Sequence, residues 1–545
     1  MENSTQKSAK MTSLQLWLLL LILVVGIFVR TYHFAQWLQF SPDEARDATL
    51  VGAAITGRAP LPALGPQAGN TQFYLGPFYY QAQYAAAWLF GNAPDRIAYF
   101  DLFLSILAIP TLFVFLRKYF SVPVALFGSA LLSVSVFAIK ISRFASNPNT
   151  IPFFVLIFLL GLLGLMEKGN KQKYFWASLV GIGMGVGIQL HALLFLMLPV
   201  VAVSVCGYLL VKKNLTWQNF SLVLVFFLLI NVGQLAAEFK SGGANLGQLL
   251  KGAHSETNLG GSALLRNVSL VASCQVQANT TLVFSAIQLE KCGAVFAVAK
   301  NFKANKLVKG SATVNGSLFI LEMVVVLAFS LGGYALAWYY YRRETDETKR
   351  NFLGLFLFYN LVAWLALLPV ASQLAVRYFS ILFFVPFVLL GLQLNFLFEK
   401  RKALARKIFL GLAVCLLLAN VATLLVAAQP FVAQQASNVD NSILGEDRAM
   451  LAYLLANTEQ RNLVQLDGSA MYLKRFLKPL NYLAQQVGAE VVRPASKQSF
   501  ASGTQFFFID STKTKALANG EMLGGEVILA QQQFGKIIIY TLRKK

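Results

Sequence analysis

Apolar runs of about 20 residues recur along this chain of 545 residues, separated by short polar connections. A helix rises about 1.5 Å per residue, so such a run reaches across the roughly 30 Å hydrocarbon core of a bilayer. Eleven stretches predict spans: 14–30, 96–116, 121–139, 150–166, 174–189, 191–210, 217–237, 315–341, 351–370, 377–397 and 407–427. The stretch 174–210 is too long for one helix and divides between Gln189 and His191. The first run is followed closely by others and lacks a small-residue cleavage site. It therefore predicts a retained helix rather than a signal peptide.

The pattern changes near residue 430, where apolar runs shorten and polar residues return. The tail predicts a helix over 446–457, a strand at NLVQLD, a helix over 470–486, strands at AEVVR and TQFFFID, and a final pair, EVILA and KIIIYTL, joined by QQQFG. This is the order of a small α/β domain. The fold class expected is an α-helical polytopic membrane protein, residues 1–429, with a small extracytoplasmic α/β domain, residues 430–545.

Composition agrees with this division. The chain is 57% hydrophobic and 13% charged, against about 25% charged in ordinary soluble domains. The net charge of +22 would suit nucleic acid if it lay on one soluble face. Instead the cations cluster in alternate connections: Lys7 and Lys10, Arg117 and Lys118, Lys168 to Lys173, Lys212 and Lys213, Arg342 and Arg343, Lys400 to Lys402. By the positive-inside rule these connections and the N-terminus are cytoplasmic. An odd number of spans then places loops 31–95 and 238–314 and the tail outside, and a bacterial plasma membrane is the expected setting. Cys206 and Cys415 lie within apolar runs. Cys274 and Cys292 share the polar loop 238–314, where a disulfide is expected if the loop faces an oxidising side.

Just past the first span comes FSPDEARDA, residues 40–48. Ser41, Pro42 and Glu44 stand in the order of a capping box with proline at the first helical position. The plainest reading is a surface helix running to about Thr56. Such a start also holds Asp43 at the water–membrane boundary, where a carboxylate can serve as a general base or hold a divalent cation against a phosphate. His191, in GIQLHALLF, stands where two spans meet and is either a hinge residue or part of a site. Asp101 opens the second span and either caps it or joins the acidic site.

An Asp-Glu pair after the first span, followed by a surface helix, resembles the GT-C glycosyltransferases. The branch it resembles is that of the protein O-mannosyltransferases and lipid A aminoarabinose transferases. GPFYYQAQYAAAWLFG, with Tyr79 and Tyr80, resembles the family's Pro-Tyr-Tyr segment. SRFASNPNT resembles its Ser-Arg segment, and LAVRYFSILFFVPF its late Arg-Tyr segment. The match rests on the order of these short motifs over residues 14–427. It implies transfer of a sugar from a polyprenyl-phosphate carrier to a protein, lipid or envelope-glycan acceptor outside the cytoplasm, with no nucleotide cofactor and no nucleic acid. Asp43 then corresponds to the base and Glu44 to its partner. Arg143, Arg377 and Lys140 become candidates for the carrier phosphate, against a plain reading of side chains reaching toward the interface. Aminoarabinose-type members carry a metal-binding glutamate before the tyrosine pair. Here that stretch is FYLGPFYY, so this ligand is not carried over, and a divalent metal ion remains an expectation of the phosphate chemistry alone. A flippase or transporter of lipid-linked sugars is the alternative. It calls for charged or broken helices at mid-membrane, whereas the ionisable residues here gather at the ends of spans.

Overall fold

The computed structural model describes residues 11–544 apart from 70, 256–260, 287–291, 293–307, 310–311, 314–315, 401, 439, 495–501 and 513–520. Among the described residues, seven helices are long and apolar enough to cross a membrane: Ser13–Thr31 (α1), Pro94–Arg117, Asn147–Met166, Ala192–Val211, Val324–Arg343, Glu347–Leu367 and Arg406–Val432. Three bent pairs bring the number to ten: Val122–Val134 with Val136–Ser142, Trp217–Ile230 with Val232–Lys240, and Val376–Leu382 with Val385–Glu399. They bend by 56°, 65° and 63° respectively. The sequence pattern predicted eleven spans. The remaining one, 174–189, is the helix Lys173–Leu190, rich in glycine and packed into the bundle. Gly183 lies so close to Phe158 that a Cβ there would stand 2.8 Å from the Phe158 Cβ. Small residues of this kind let helix backbones approach each other where water is absent.

Arg30, at the end of α1, is buried. Its guanidinium donates to the carbonyls of Gly26, Leu132 and Ser133 at 3.2, 3.1 and 2.8 Å, and to the Ser105 hydroxyl at 3.0 Å. The buried charge is thus met by three carbonyls and a hydroxyl that tie α1 to two neighbouring helices.

The stretch 238–314, expected to be an external loop, contains a helix of 23 residues, Gly261–Val283, packed into the membrane domain. Val271, Cys274, Ala278 and Leu282 join the main apolar core. Part of its polar face is satisfied from other helices. Gln275 donates to the Tyr334 hydroxyl at 2.9 Å and accepts from the Trp364 indole at 2.7 Å, and the Tyr334 hydroxyl donates to Asn360 at 2.7 Å. Its Asn, Gln, Ser and Thr content hides this helix from a hydropathy reading, because the partners that satisfy them lie far away in sequence. Cys274 is joined to Cys292 by a disulfide, with Cα atoms 4.7 Å apart.

Among the helices outside the spans at one end of the bundle are Pro42–Ile55 (α2) and Phe78–Phe90 (α3). The second long span continues from Asp101 as Tyr99–Arg117 (α4). The tail follows the predicted order closely. Leu444–Asn457 (α5) and Ala470–Gln485 (α6) pack on a six-stranded sheet of Leu463–Gly468 (β1), Glu490–Val492 (β2), Gln505–Ser511 (β3), Met522–Leu523 (β4), Glu526–Phe534 (β5) and Ile537–Arg543 (β6). The strand order is β2-β1-β3-β6-β5-β4, parallel from β2 to β3 and antiparallel beyond.

The domain shares one apolar core with the membrane part. Phe34, Leu38, Phe40, Ala45 and Val51 are buried with Leu444, Leu473, Phe476, Leu480 and Ile539. Arg448 of α5 meets Asp95 at 2.7 Å, and the Tyr482 hydroxyl of α6 donates to Asn92 O at 2.9 Å. These contacts set the tail directly over the first polar loop.

Candidate active site

The segment before α2 is held on both sides. The Gln39 amide donates to Arg143 O at 2.9 Å, while Phe40 N donates to Ser442 O at 3.2 Å and Leu444 N to Leu38 O at 2.8 Å. Residues 38–40 therefore lie as a short strand between the SRF segment and the entry to the C-terminal domain. The next residue is the helix cap Ser41, whose amide donates to the Glu44 carboxylate at 2.9 Å, and Pro42 takes the first helical position. The cap thus fixes the first turn that carries Asp43.

The acids of this turn have different surroundings. The Asp43 side chain is 77% exposed and accepts from Arg46 at 3.1 Å. Glu44 is buried, and burial pushes its carboxyl up to about 8, with the Ser41 hydrogen bonds opposing. Asp47, one turn further on, is also buried. It accepts from Arg46 Nε at 2.8 Å and from the Tyr80 hydroxyl at 3.1 Å, and burial raises it to about 6. Tyr79, beside Tyr80 on α3, donates to the buried Asp101 of α4 at 3.0 Å. The tyrosine pair therefore holds two buried carboxylates, one on each side of α3, next to the exposed Asp43. Asp101 joins the acidic group rather than standing alone at its helix start. Asp47 is the site residue that sequence reasoning passed over. Its signal is its spacing, since a residue four after Asp43 returns to the same helix face.

The expected cations separate into two kinds. Arg143 is buried and engaged. Its Nη2 donates to Val29 O at 3.0 Å and to Tyr32 O, and its guanidinium lies over the Phe34 and Trp37 rings, 5.9 and 5.5 Å from their centroids. It braces the end of α1 against the SRF segment through Nη2, while its Nη1, shut off from solvent, makes no hydrogen bond among the described residues. Arg377 is exposed, has no ion pair among the described residues, and lies 5.8 Å from the Tyr378 ring centroid. The Tyr378 ring meets His191 edge-on at 5.4 Å. His191 is half-buried, and its Nδ1 accepts from Leu193 N at 3.1 Å, which makes it the cap of the helix that follows. Asn147 of the SRFASNPNT segment donates to Leu190 O at 2.6 Å. That segment therefore links the Gln39 strand to the His191 turn at the same end of the bundle. Lys140 is exposed at the end of the helix Val136–Ser142.

Among the described residues, no three His, Cys, Asp or Glu side chains are grouped to hold one metal ion. Glu44 and Asp47 are committed instead to Ser41, Arg46 and Tyr80, so they do not form a ready ligand set for a divalent cation.

The fold and the site together define a polytopic membrane protein with an acidic interfacial site roofed by a small α/β domain. No protein-family model and no curated protein sequence matches the chain. In structure it is similar to ArnT from Cupriavidus metallidurans in the apo state, with a TM-score of 0.47, 13% identity and coverage of 97% of this chain and 98% of that one. The same protein bound to undecaprenyl phosphate gives 0.45, 13%, 97% and 97%. The Archaeoglobus fulgidus oligosaccharyltransferase tethered to an acceptor peptide gives 0.45, 12%, 91% and 69%.

Proposed function

We propose that the protein is a membrane glycosyltransferase that moves a sugar from a polyprenyl-phosphate carrier to an extracytoplasmic protein, lipid or envelope-glycan acceptor. The observation that carries the proposal is Asp43, held by a capped turn at the polar end of the bundle. It is the exposed acid among neighbours that are buried and bonded. The order of the SPDE, GPFYY, SRF and VRYF motifs supports the same reading. In this mechanism Asp43 takes the proton from the acceptor hydroxyl. The freed oxygen forms a bond to the anomeric carbon, and the bond from that carbon to the carrier phosphate breaks. The phosphate leaves with the electron pair, and Arg377 is the cation assigned to meet it. Arg46 bridges Asp43 and Asp47 and holds the base in place. The roofed end faces outward from the plasma membrane and the N-terminus lies in the cytoplasm, as the charge pattern of the connections implies.

The experiment is sugar transfer from a synthetic polyprenyl-phosphate hexose by purified protein in detergent, wild type against Asp43→Asn. Removal of a general base is expected to lower the rate by about 10²- to 10⁴-fold without changing the melting temperature. Equal rates would remove Asp43 from the chemistry. Transport is the second reading, and the three bent helix pairs favour it. Against it, an apolar cavity between α4 and the segment Val376–Phe383, lined by Leu104, Ser105, Asn149, Phe379 and Ser380 among others, has no charged side chain in its wall among the described residues. Movement of the carrier across vesicles without transfer would uphold the transport reading.

A further inference from the structure

The C-terminal domain brings its own charges to the carboxylate turn. α6 lies against α2, with Leu473, Phe476, Leu480 and Leu483 buried in the core shared by the two parts. Between these apolar positions stands Arg475, half-buried. Its Nε and Nη2 are both shut off from solvent, and among the described residues neither makes a hydrogen bond. Those two groups form one edge of the guanidinium, the edge that grips a carboxylate in a bidentate pair. The acids whose charge reaches it are Glu44 and Asp43 of α2, Asp447 of α5 and Asp440 of the turn before α5. Asp447 is fully buried, and among the described residues neither of its oxygens accepts a hydrogen bond of good geometry; the nearby Ser442 hydroxyl donates to Phe40 O.

The other charges around α6 are accounted for. Lys474 and Lys478 are exposed, and so is Glu490 of β2. Asp467 of β1 stands 3.9 Å from Arg493, and Asp510 of β3 accepts from the Ser469 hydroxyl at 3.1 Å. Glu44 is faced in turn by Asp43 and Asp47 of its own helix, and its charge reaches Asp101 of α4 and Tyr79 of α3. This region thus gathers several buried acids, with Arg46 from α2 and Arg475 from the C-terminal domain as their cations.

We propose that Arg475 is a positioning residue supplied by the C-terminal domain, holding the carboxylate turn of α2 from across the interface so that the site is complete only with the domain docked. In its bearing on the reaction this rests on the transfer reading above. Burying a charge without a partner is costly, and removing Arg475, one of the two cations among these buried carboxylates, leaves them less compensated. Burial raises Glu44 to about 8 and Asp447 well above its usual range, the latter opposed by Arg475. Below these values the two acids are protonated and gain little from a cation. Above them they are ionised and need it. Loss of Arg475 therefore costs more as pH rises, whereas a packing defect costs the same at every pH.

The test uses the full chain in detergent as wild type, Arg475→Gln, Arg475→Lys and the double variant Arg475→Gln with Glu44→Gln. Melting temperature is followed from about pH 5 to about pH 9. The expected result is a deficit in Arg475→Gln that is small at the acid end and widens with pH. It should be largely restored by lysine and flattened in the double variant. A deficit that is constant with pH, or equal in the lysine variant, would overturn the proposal. In wild-type protein that transfers the hexose, the acid limb of kcat/KM should move upward by about one pH unit in Arg475→Gln, and an unmoved limb overturns the positioning role. Wild-type protein that transfers nothing would overturn the transfer reading instead, and the melting series alone then upholds or overturns the coupling.

Discussion

At the scale of the residue, the site separates acids by environment rather than by type. Asp43 and Glu44 are neighbours in sequence, yet one is exposed and the other is buried in its cap. A carboxyl raised by burial binds its proton more tightly in the folded chain than in the unfolded one. Its contribution to stability is greatest below the unfolded value and is lost as pH climbs to the folded value. For Glu44 that window ends at about 8 and for Asp47 at about 6. Thermal melting of the wild type should therefore decline from mildly acid pH to about pH 8, and Glu44→Gln should flatten the upper part of that decline. The arginines divide in the same way. Arg143→Ala strips partners from the carbonyls of Val29 and Tyr32 and should lower stability by about 1–3 kcal/mol, with KM for the carrier unchanged. Arg377→Ala should raise that KM severalfold and leave the melting temperature alone. Melting and carrier titration on the same two variants check both outcomes.

At the scale of the element, close approach decides what a position tolerates. The Gln189 side chain joins α3 to the bundle, accepting from Phe78 N at 2.9 Å and donating to Ile230 O at 3.0 Å. It passes directly over Gly76, where a Cβ would stand 2.2–2.4 Å from three of its atoms. The amide is pinned at both ends and cannot move aside. Gly76→Ala should therefore destabilise the protein by about 1–3 kcal/mol and loosen the Tyr79–Tyr80 helix. The check is a lower melting temperature together with faster amide exchange in α3. The buried helix Gly261–Val283 shows the opposite case, in which polar side chains such as Gln275 are tolerated in the core because they meet partners on other helices.

At the scale of the whole molecule, the C-terminal domain and the first polar loop share one core, so neither is finished alone. Truncation after Val432 would bare Leu38, Phe40 and Val51, each buried to within 1%. Such a truncation should yield aggregated protein, or protein cleaved readily near SPDE, read by size-exclusion profile and limited proteolysis. The same interface explains why α2 is ordered: short, isolated helices are marginal in water, and this one is roofed by α6.

Most spans and nearly every element of the tail were legible in the sequence, because both depend on local periodicity and chain length. Hydropathy over 20 residues marks a helix that can cross a bilayer, and alternation over 6 marks a strand, whatever surrounds them. The capped turn at Ser41 was legible for the same reason, since its donors and acceptors lie within four residues. The sequence by itself therefore determined a polytopic helical protein with an acidic, capped turn at a span end and an α/β tail. Only the tertiary structure decided that Tyr80 and Tyr79 hold Asp47 and Asp101, that Arg46 bridges Asp47 to Asp43, that Arg143 braces the end of α1, that a polar stretch is a core helix, and that the helix carrying Arg475, more than 400 residues on in sequence, packs against α2. Each of these depends on which side chains burial brings together, and burial is a property of the assembled packing that no local window contains.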